Sequence, residues 1–230
     1  MSKFPLYCEQ PYCNAFFEPL NTLTNLFFIL AGIVLLVKLK KRNRLNLFSG
    51  YFSIILITIG IGSFAWHFHR TSFSLASDSF PIMLFVISYL VAYVFYVTKK
   101  LFFRVLLILS FFAYTYLLGS LLRELNWSFL YHGGLSYGTA ISYFAVMQIH
   151  NLYFKIPLVR QSLFITGVFL ISLFFRQIDL MLCDSWGQGT HFVWHTLNAL
   201  TLYLMVDLLY LKEIKITKNE IGKISKYNKI

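Results

Sequence analysis

Residues Gly62 to Pro81 read GSFAWHFHRTSFSLASDSFP and join two long apolar segments of the chain. Serine, histidine, arginine and aspartate side chains all occur within this short junction. Ionisable side chains are rare in membrane-embedded segments and usually have a function where they occur. The junction therefore predicts a membrane-spanning fold with a polar site at one end of its helices.

The rest of the chain has the composition of a membrane protein. Of its 230 residues, 58% are hydrophobic, 19% are aromatic and only 13% are charged, which is too apolar for an ordinary soluble domain. Apolar runs of about 20 residues, the length that spans a bilayer as a helix, recur along it. An all-α bundle of seven transmembrane helices is predicted. Its spans are expected at about 21–39, 47–66, 79–98, 101–119, 135–154, 157–175 and 189–211.

Positive charge is distributed unevenly between the two sides of this predicted bundle. If the connecting segments alternate between sides, sixteen of the twenty Lys and Arg residues fall on one side. Lys and Arg accumulate in cytosolic loops, so the N-terminus is predicted outside and the C-terminus in the cytosol. The same sorting argues against nucleic acid as a partner, despite the net charge of +11. The sixteen residues lie in segments 38–44, 99–104, 155–160 and 212–229.

The chain is predicted to form one transmembrane domain, residues 1–211, with a short outer segment at 1–20. Residues 212–230 are predicted to form a basic cytosolic tail, either against anionic lipid headgroups or free in solvent. No basic segment precedes the first apolar run and no small-residue cleavage site follows it. That run is therefore interpreted as a helix and not as a signal peptide.

Four of the six histidines fall at the outer ends of the predicted helices. His191 and His195 are four residues apart, so they share one helical face about one turn apart. Ser63 and His67 repeat this spacing, which favours His67 over His69 as the side chain facing a common site. Three imidazoles from two helices form a frequent zinc site that leaves a fourth position open for water. A set of interhelical hydrogen bonds is the alternative interpretation.

Three separated blocks resemble the alkaline ceramidase family, seven-helix intramembrane hydrolases that are distantly related to adiponectin receptors. They are YCEQPYCNAFFEPLNTLTN (7–25), GSFAWHFHRTSFSLASDSFPI (62–82) and GTHFVWHTLNAL (189–200). Their order and spacing extend over nearly the whole chain. The compact FFEPLNTLTN form is more similar to bacterial members than to animal ones.

The resemblance implies zinc-dependent hydrolysis of the amide of ceramide to a long-chain base and a fatty acid. It makes His67, His191 and His195 the zinc ligands, Asp78 the aspartate that activates water, and Ser63 the serine beside the metal. The chemistry agrees with these roles. Amide hydrolysis needs an activated water and a stabilised oxyanion, which a metal ion, a carboxylate and a hydroxyl can supply.

Asp78 has a second interpretation. It precedes Ser79 and Pro81, much as an N-cap residue precedes the first turn of a helix. Asp78 is therefore expected to be either the general base or, less favoured, only the cap of the third helix.

Glu9 and Glu18 match two acidic residues that help to hold a calcium ion in family members. The sequence departs from the family here, because Leu6 stands where animal enzymes have an acidic residue and the Glu9–Glu18 spacing is shorter. Calcium is therefore a secondary expectation beside zinc. Glu18 precedes Pro19, so a helix cap is its alternative role.

All three cysteines fall on the predicted outer side, where disulfides are stable. The family resemblance implies a bridge between Cys8 and Cys183. A local Cys8–Cys13 bridge and three free thiols are the alternatives.

The leading hypothesis is a zinc-dependent lipid amidase in the membrane, the inner membrane if the source is bacterial, with its site on the outer side. Its partners would be the bilayer and a ceramide-like lipid substrate. A receptor-like protein with a structural zinc and a transporter are the alternatives. Asp78 and Ser63 beside an open three-histidine site favour the enzyme, since structural zinc usually has four protein ligands. Internal sequence symmetry would favour a transporter, and the sequence does not display it.

Overall fold

The structure is a computed structural model and describes residues 7–9, 18–124, 134–153 and 159–210. Within these ranges it consists of α-helices, one 3₁₀ turn (Asp179–Met181) and connecting loops, without a strand. The all-α fold predicted from the sequence is thereby confirmed. The helices are α1 (Pro19–Thr24), α2 (Leu26–Lys41), α3 (Leu47–His69), α4 (Ser72–Val97), α5 (Leu101–Glu124), α6 (Gly134–Tyr153), α7 (Val159–Ile178) and α8 (His191–Tyr210).

Six helical segments are long and apolar enough to span a membrane. Together α1 and α2 form one span, and the others are α3, α4, α5, α7 with the 3₁₀ turn, and α8. Helix α6 has 20 residues but is not among the six found in the described ranges, because residues such as Gln148, His150 and Asn151 lower its hydropathy. The multi-pass membrane fold is confirmed, and the seventh span remains a prediction.

Helix α4 begins earlier than the sequence analysis expected, at Ser72 instead of near residue 79. The Thr71 hydroxyl accepts from the Ser74 backbone N–H at 3.1 Å, and the Ser74 hydroxyl accepts from the Thr71 N–H at 2.9 Å. This reciprocal capping box fixes the start of the helix, and Pro81 lies within it. Asp78 is therefore about two turns inside α4, and the alternative that it caps the helix is wrong.

The apolar core lies between α2, α3, α4 and α8. In this core, large aliphatic and aromatic side chains from the four helices pack against one another. They include Phe28 and Leu35 of α2, Leu56 and Ile59 of α3, Phe85 of α4, and Val206 of α8. This core aligns the ends of the four helices, and the polar residues of the predicted site lie at one of those ends.

A close contact between α3 and α4 occurs at Gly62. A Cβ atom at this position would lie 2.0 Å from the carbonyl oxygen of Ser77 and 2.7 Å from its carbonyl carbon. Only glycine allows the two backbones to approach so closely. The close approach brings together the next residue on each helix, Ser63 on α3 and Asp78 on α4. The Ser63 side chain hydrogen bonds with the Asp78 carboxylate.

The segment Tyr7–Glu9, here called the N-terminal strap, is tied to the loop before α8. Cys8 forms a disulfide with Cys183, which confirms the predicted pairing; Cys13 lies outside the described residues. The Cys8 backbone N–H also donates to Asp179 Oδ2 at 3.0 Å. A covalent bond and a buried hydrogen bond thus fix the strap at the end of the bundle where α8 begins.

Replacing Gly62 by alanine should destabilise the protein, because the new methyl group overlaps the backbone of α4. Overpacking of this kind typically costs about 1–3 kcal/mol. Gly167 on α7 offers the matched control, since a Cβ there has no neighbour within 4 Å. Gly167→Ala should be neutral or stabilising by up to about 1 kcal/mol. Thermal unfolding in detergent would measure both variants, and equal midpoints would contradict the close approach.

Removing the disulfide should also weaken the fold. Cys8→Ser or Cys183→Ser is expected to lower the free energy of unfolding by about 2–4 kcal/mol, because the bridge closes a long loop. Peptide mapping of the non-reduced wild type should recover the Cys8–Cys183 linked peptide, and Cys13→Ser should leave that peptide intact. Recovery of both cysteines as free thiols would refute the pairing.

Candidate metal centre

Three histidines from α3 and α8 meet at one end of the bundle. The ring centroid of His67 lies 5.3 Å from that of His191 and 4.7 Å from that of His195, and the last two are 4.6 Å apart. One candidate ligand atom of each histidine lies within 4.8 Å of the other two. All three side chains are buried, whereas His69 is exposed. The structure thus brings together the three histidines that the spacing selected.

The hydrogen bonds around these rings assign their nitrogens. His67 Nδ1 lies 2.7 Å from Glu18 Oε2, and His195 Nδ1 lies 3.1 Å from the Thr24 hydroxyl. Each contact leaves the opposite nitrogen, Nε2, for a metal ion. A partner on the other ring nitrogen is the usual arrangement for a metal-binding histidine, because it fixes the tautomer and the ring orientation.

Two of the remaining ring nitrogens are buried without a hydrogen-bond partner in the described part of the chain, namely His195 Nε2 and His191 Nδ1. Buried polar atoms are seldom left unsatisfied in proteins, and a metal ion would satisfy these. Nitrogens that bind a tetrahedral zinc ion at about 2.0–2.1 Å are about 3.4 Å apart. The candidate nitrogens of the three histidines lie within 4.8 Å of one another, so a small adjustment of the rings would bring them to that separation. The three histidines therefore fit a zinc ion.

Asp179 fixes the start of α8 and thereby the position of His191. Its Oδ1 accepts from the backbone N–H groups of Thr190 and His191 at 2.7 and 2.9 Å, while its Oδ2 holds Cys8. Gly189 lies close by with φ at 62°, and a Cβ there would be 2.2 Å from Asp179 Oδ1. The role of Asp179 was not predicted from the sequence, because its partners are remote in the chain.

Glu18 links the histidine cluster to the neighbouring chain segments. Besides His67, it accepts from Asn21 Nδ2 at 3.0 Å, and its Oε1 lies 3.4 Å from Arg70 Nε. Burial raises the pKa of Glu18, and the guanidinium of Arg70 acts in the opposite direction. Glu18 occupies the N-cap position of α1, and its carbonyl accepts from the Thr22 N–H at 2.7 Å. The predicted cap position is therefore confirmed, although the carboxylate makes no capping hydrogen bond and contacts His67 instead.

Glu9 of the N-terminal strap binds the first turn of α1. Its two carboxylate oxygens accept from the backbone N–H groups of Leu20 and Asn21 at 2.7 and 2.9 Å. Burial raises the pKa of Glu9, and these two hydrogen bonds oppose the shift. Glu9 and Glu18 both accept from Asn21, Glu9 from its backbone N–H and Glu18 from its side-chain amide. Among the described residues the group of side chains placed to hold a metal ion is the three histidines, so calcium finds no support there. Leu6 lies outside the described residues.

Ser63 and Asp78 form a polar pair between α3 and α4, close to His67 along α3. Ser63 is buried one turn before His67 on α3, and its side chain hydrogen bonds with the Asp78 carboxylate. Asp78 Oδ1 is buried and has no hydrogen-bond partner in the described ranges. Arg176 of α7 interacts electrostatically with Asp78. Asp78 therefore lies beside Ser63 and keeps one buried carboxylate oxygen, Oδ1, without a hydrogen-bond partner in the described ranges.

Tyr7 of the N-terminal strap covers the histidines. Its ring centroid lies 4.0 Å from that of His191 and 5.1 Å from that of His67. Burial raises the pKa of the Tyr7 phenol, so this group stays neutral near pH 7. Neither Tyr7 nor Arg70 was predicted from the sequence as a site residue. An aromatic residue beside a cysteine was the only local signal for Tyr7.

Comparison with known proteins finds a family match for the chain. A family model described as Ceramidase matches residues 6–229, which is nearly the whole chain and includes the histidines, Ser63 and Asp78. No curated protein sequence matches the chain. The match of the family model over this length shows that the chain belongs to the Ceramidase family.

Proposed function

We propose that this protein is a zinc-dependent intramembrane amidase that hydrolyses ceramide, or a similar N-acyl lipid, to a long-chain base and a fatty acid. Membership of the Ceramidase family supports hydrolysis of the ceramide amide. The proposed zinc dependence rests on the group of three buried histidines, whose candidate ligand atoms lie within 4.8 Å of one another. Three protein ligands leave one position open, as catalytic zinc sites do.

His67, His191 and His195 would hold the ion. When bound, Zn²⁺ supplies Lewis acidity, which activates water and polarises a carbonyl group. The histidines stay neutral as ligands, so the acid–base steps need another group. That group is Asp78.

Asp78 acts as the general base and then as the general acid. Its Oδ1 has no hydrogen-bond partner in the described residues, so it can accept a proton from the attacking water. As the C–N bond breaks, the same oxygen returns this proton to the leaving amine, and the fatty acid keeps the water's oxygen. Such proton transfer contributes about 10²–10⁴-fold to the rate.

Ser63 has an orienting role and a stabilising role. In this structure its side chain hydrogen bonds with Asp78, which holds the carboxylate in place. As the oxyanion forms, the same hydroxyl would donate to it. Tyr7 meanwhile covers His191 and His67 and limits the access of bulk water from the side of the N-terminal strap.

The depth of the site suits a lipid amide. The histidines, Ser63 and Asp78 lie near one set of helix ends, and the amide of ceramide lies close to the headgroup region of a bilayer. At the opposite end of the bundle, Lys38 of α2 contacts Tyr203 and Asp207 of α8. We assign that end to the cytosol and the site to the outer side, because basic residues concentrate near Lys38 and in the tail. If the source is bacterial, as the FFEPLNTLTN form favours, the membrane is the inner membrane.

Asp78→Asn should abolish most of the turnover while zinc stays bound, because an amide cannot accept the proton of the water. The expected loss at neutral pH is about 10²–10⁴-fold. Ceramide hydrolysis and zinc content would be measured on the same purified preparation, before and after chelation and zinc restoration. Asp184→Asn is the matched control, since Asp184 is exposed in the loop before α8.

The outcomes separate the parts of this proposal. Full turnover of Asp78→Asn with normal zinc would remove Asp78 from the mechanism. Turnover of the wild type that survives complete loss of zinc would exclude a metal-dependent reaction. Hydrolysis of another N-acyl lipid without hydrolysis of ceramide would keep the mechanism and change the substrate.

A further inference from the structure

Arg70 is a buried cation beside a site that is suited to bind another cation. Its exposed fraction is 8%. Its guanidinium carbon lies over the ring of Trp66 at 4.3 Å and over that of Tyr7 at 5.1 Å. Its Nε is 3.4 Å from Glu18 Oε1, and Glu18 Oε2 in turn contacts His67 Nδ1 at 2.7 Å. Glu18 therefore lies between the guanidinium and the histidine.

The backbone conformation at Arg70 is unusual for an arginine. Arg70 ends α3 in the left-handed conformation, with φ at 53° and ψ at 38°. Glycine or asparagine usually occupies this position at a helix end, because other residues are strained there. An arginine has no advantage for the backbone at this position. Its advantage lies in the guanidinium, which the left-handed turn directs back towards Glu18, Trp66 and Tyr7.

The contacts give the guanidinium a specific task. Glu18 Oε1 has no hydrogen-bond partner in the described part of the chain, so its contact with Arg70 is an ion pair. The planar guanidinium stacks on aromatic rings and is more weakly hydrated than an ammonium group, which suits a dry site between Trp66 and Tyr7. A carboxylate that holds the second nitrogen of a metal-binding histidine needs support of its own.

We propose that Arg70 is a positioning residue of the metal centre, and that its guanidinium holds Glu18 against His67 Nδ1 so that His67 presents Nε2 to the metal. This inference rests on the proposed zinc site and adds to it a residue that contacts neither metal nor substrate. Direct repulsion between Arg70 and a bound cation acts in the opposite direction. The sign of the effect on zinc affinity therefore decides between a positioning role and mere proximity.

The test measures the zinc dissociation constant of the full-length protein in detergent by competition with a chelating dye. Arg70→Gly removes the guanidinium and also relieves the strained backbone, so any loss of affinity comes from the side chain. Asn43→Gly is the matched control, because Asn43 is another non-glycine residue with positive φ, at 51°, near the end of α2. Arg70→Lys retains the charge without the planar group.

Arg70→Gly is expected to raise the zinc dissociation constant about 10-fold or more, the effect typical of residues that support a metal ligand. Arg70→Lys should restore part of the loss, and Asn43→Gly should match the wild type. Glu18→Gln should also raise the zinc dissociation constant. Because Arg70 acts through Glu18, the double variant that combines Arg70→Gly with Glu18→Gln should bind zinc no more weakly than the worse of the two single variants.

An unchanged or tighter zinc dissociation constant for Arg70→Gly would overturn the inference, and so would additive losses in the double variant. If Arg70→Gly does not fold, Arg70→Gln replaces it under the same criteria. The proposed function fails differently. If the wild type takes up no zinc, or His195→Ala retains it, the histidine site is wrong and the role of Arg70 falls with it.

Discussion

A polar group buried in a membrane bundle must find its partner within the protein, because no water is present to supply one. This requirement organises the end of the bundle where α3 ends and α8 begins. His67 hydrogen bonds with Glu18, and His195 with Thr24. His191 Nδ1 and His195 Nε2 have no hydrogen-bond partner in the described residues. A cation shared by the three rings would complete this pattern.

The site is assembled from segments that lie far apart in the chain. Glu18 and His67 are separated by 49 residues, and Cys8 and Asp179 by 171. The disulfide and the Asp179 carboxylate bring the N-terminal strap to the start of α8, and the close approach at Gly62 brings α4 to α3. Such links would give the proposed catalytic site rigid support, which it needs because small displacements of reacting groups are costly.

The sequence predicted those features that repeat within one helix. The four-residue spacings selected His67, His191 and His195 and placed Ser63 on the same face as His67, because a helical period needs no knowledge of the fold. The Cys8–Cys183 bridge came from the family resemblance. The start of α4 was missed because Pro81 suggested a helix start, while the capping box at Thr71 and Ser74 lies a few residues earlier.

The supporting residues could not be predicted in the same way. Glu18, Arg70, Tyr7 and Asp179 acquire their roles from partners on other segments, and no local period reveals such contacts. Glu18 and Glu9 illustrate the difference. Both looked alike as acidic residues near the N-terminus, yet Glu9 binds backbone N–H groups of α1 and Glu18 binds His67.

X-ray absorption at the zinc edge of the purified protein would test the metal centre most directly. The expected result is one zinc ion per chain with three imidazole nitrogens at about 2.0–2.1 Å, one further light-atom ligand and no sulfur. His195→Ala should remove this signal. A protein that binds no zinc, a sulfur ligand at about 2.3 Å, or an unchanged spectrum in His195→Ala would contradict a three-histidine zinc centre.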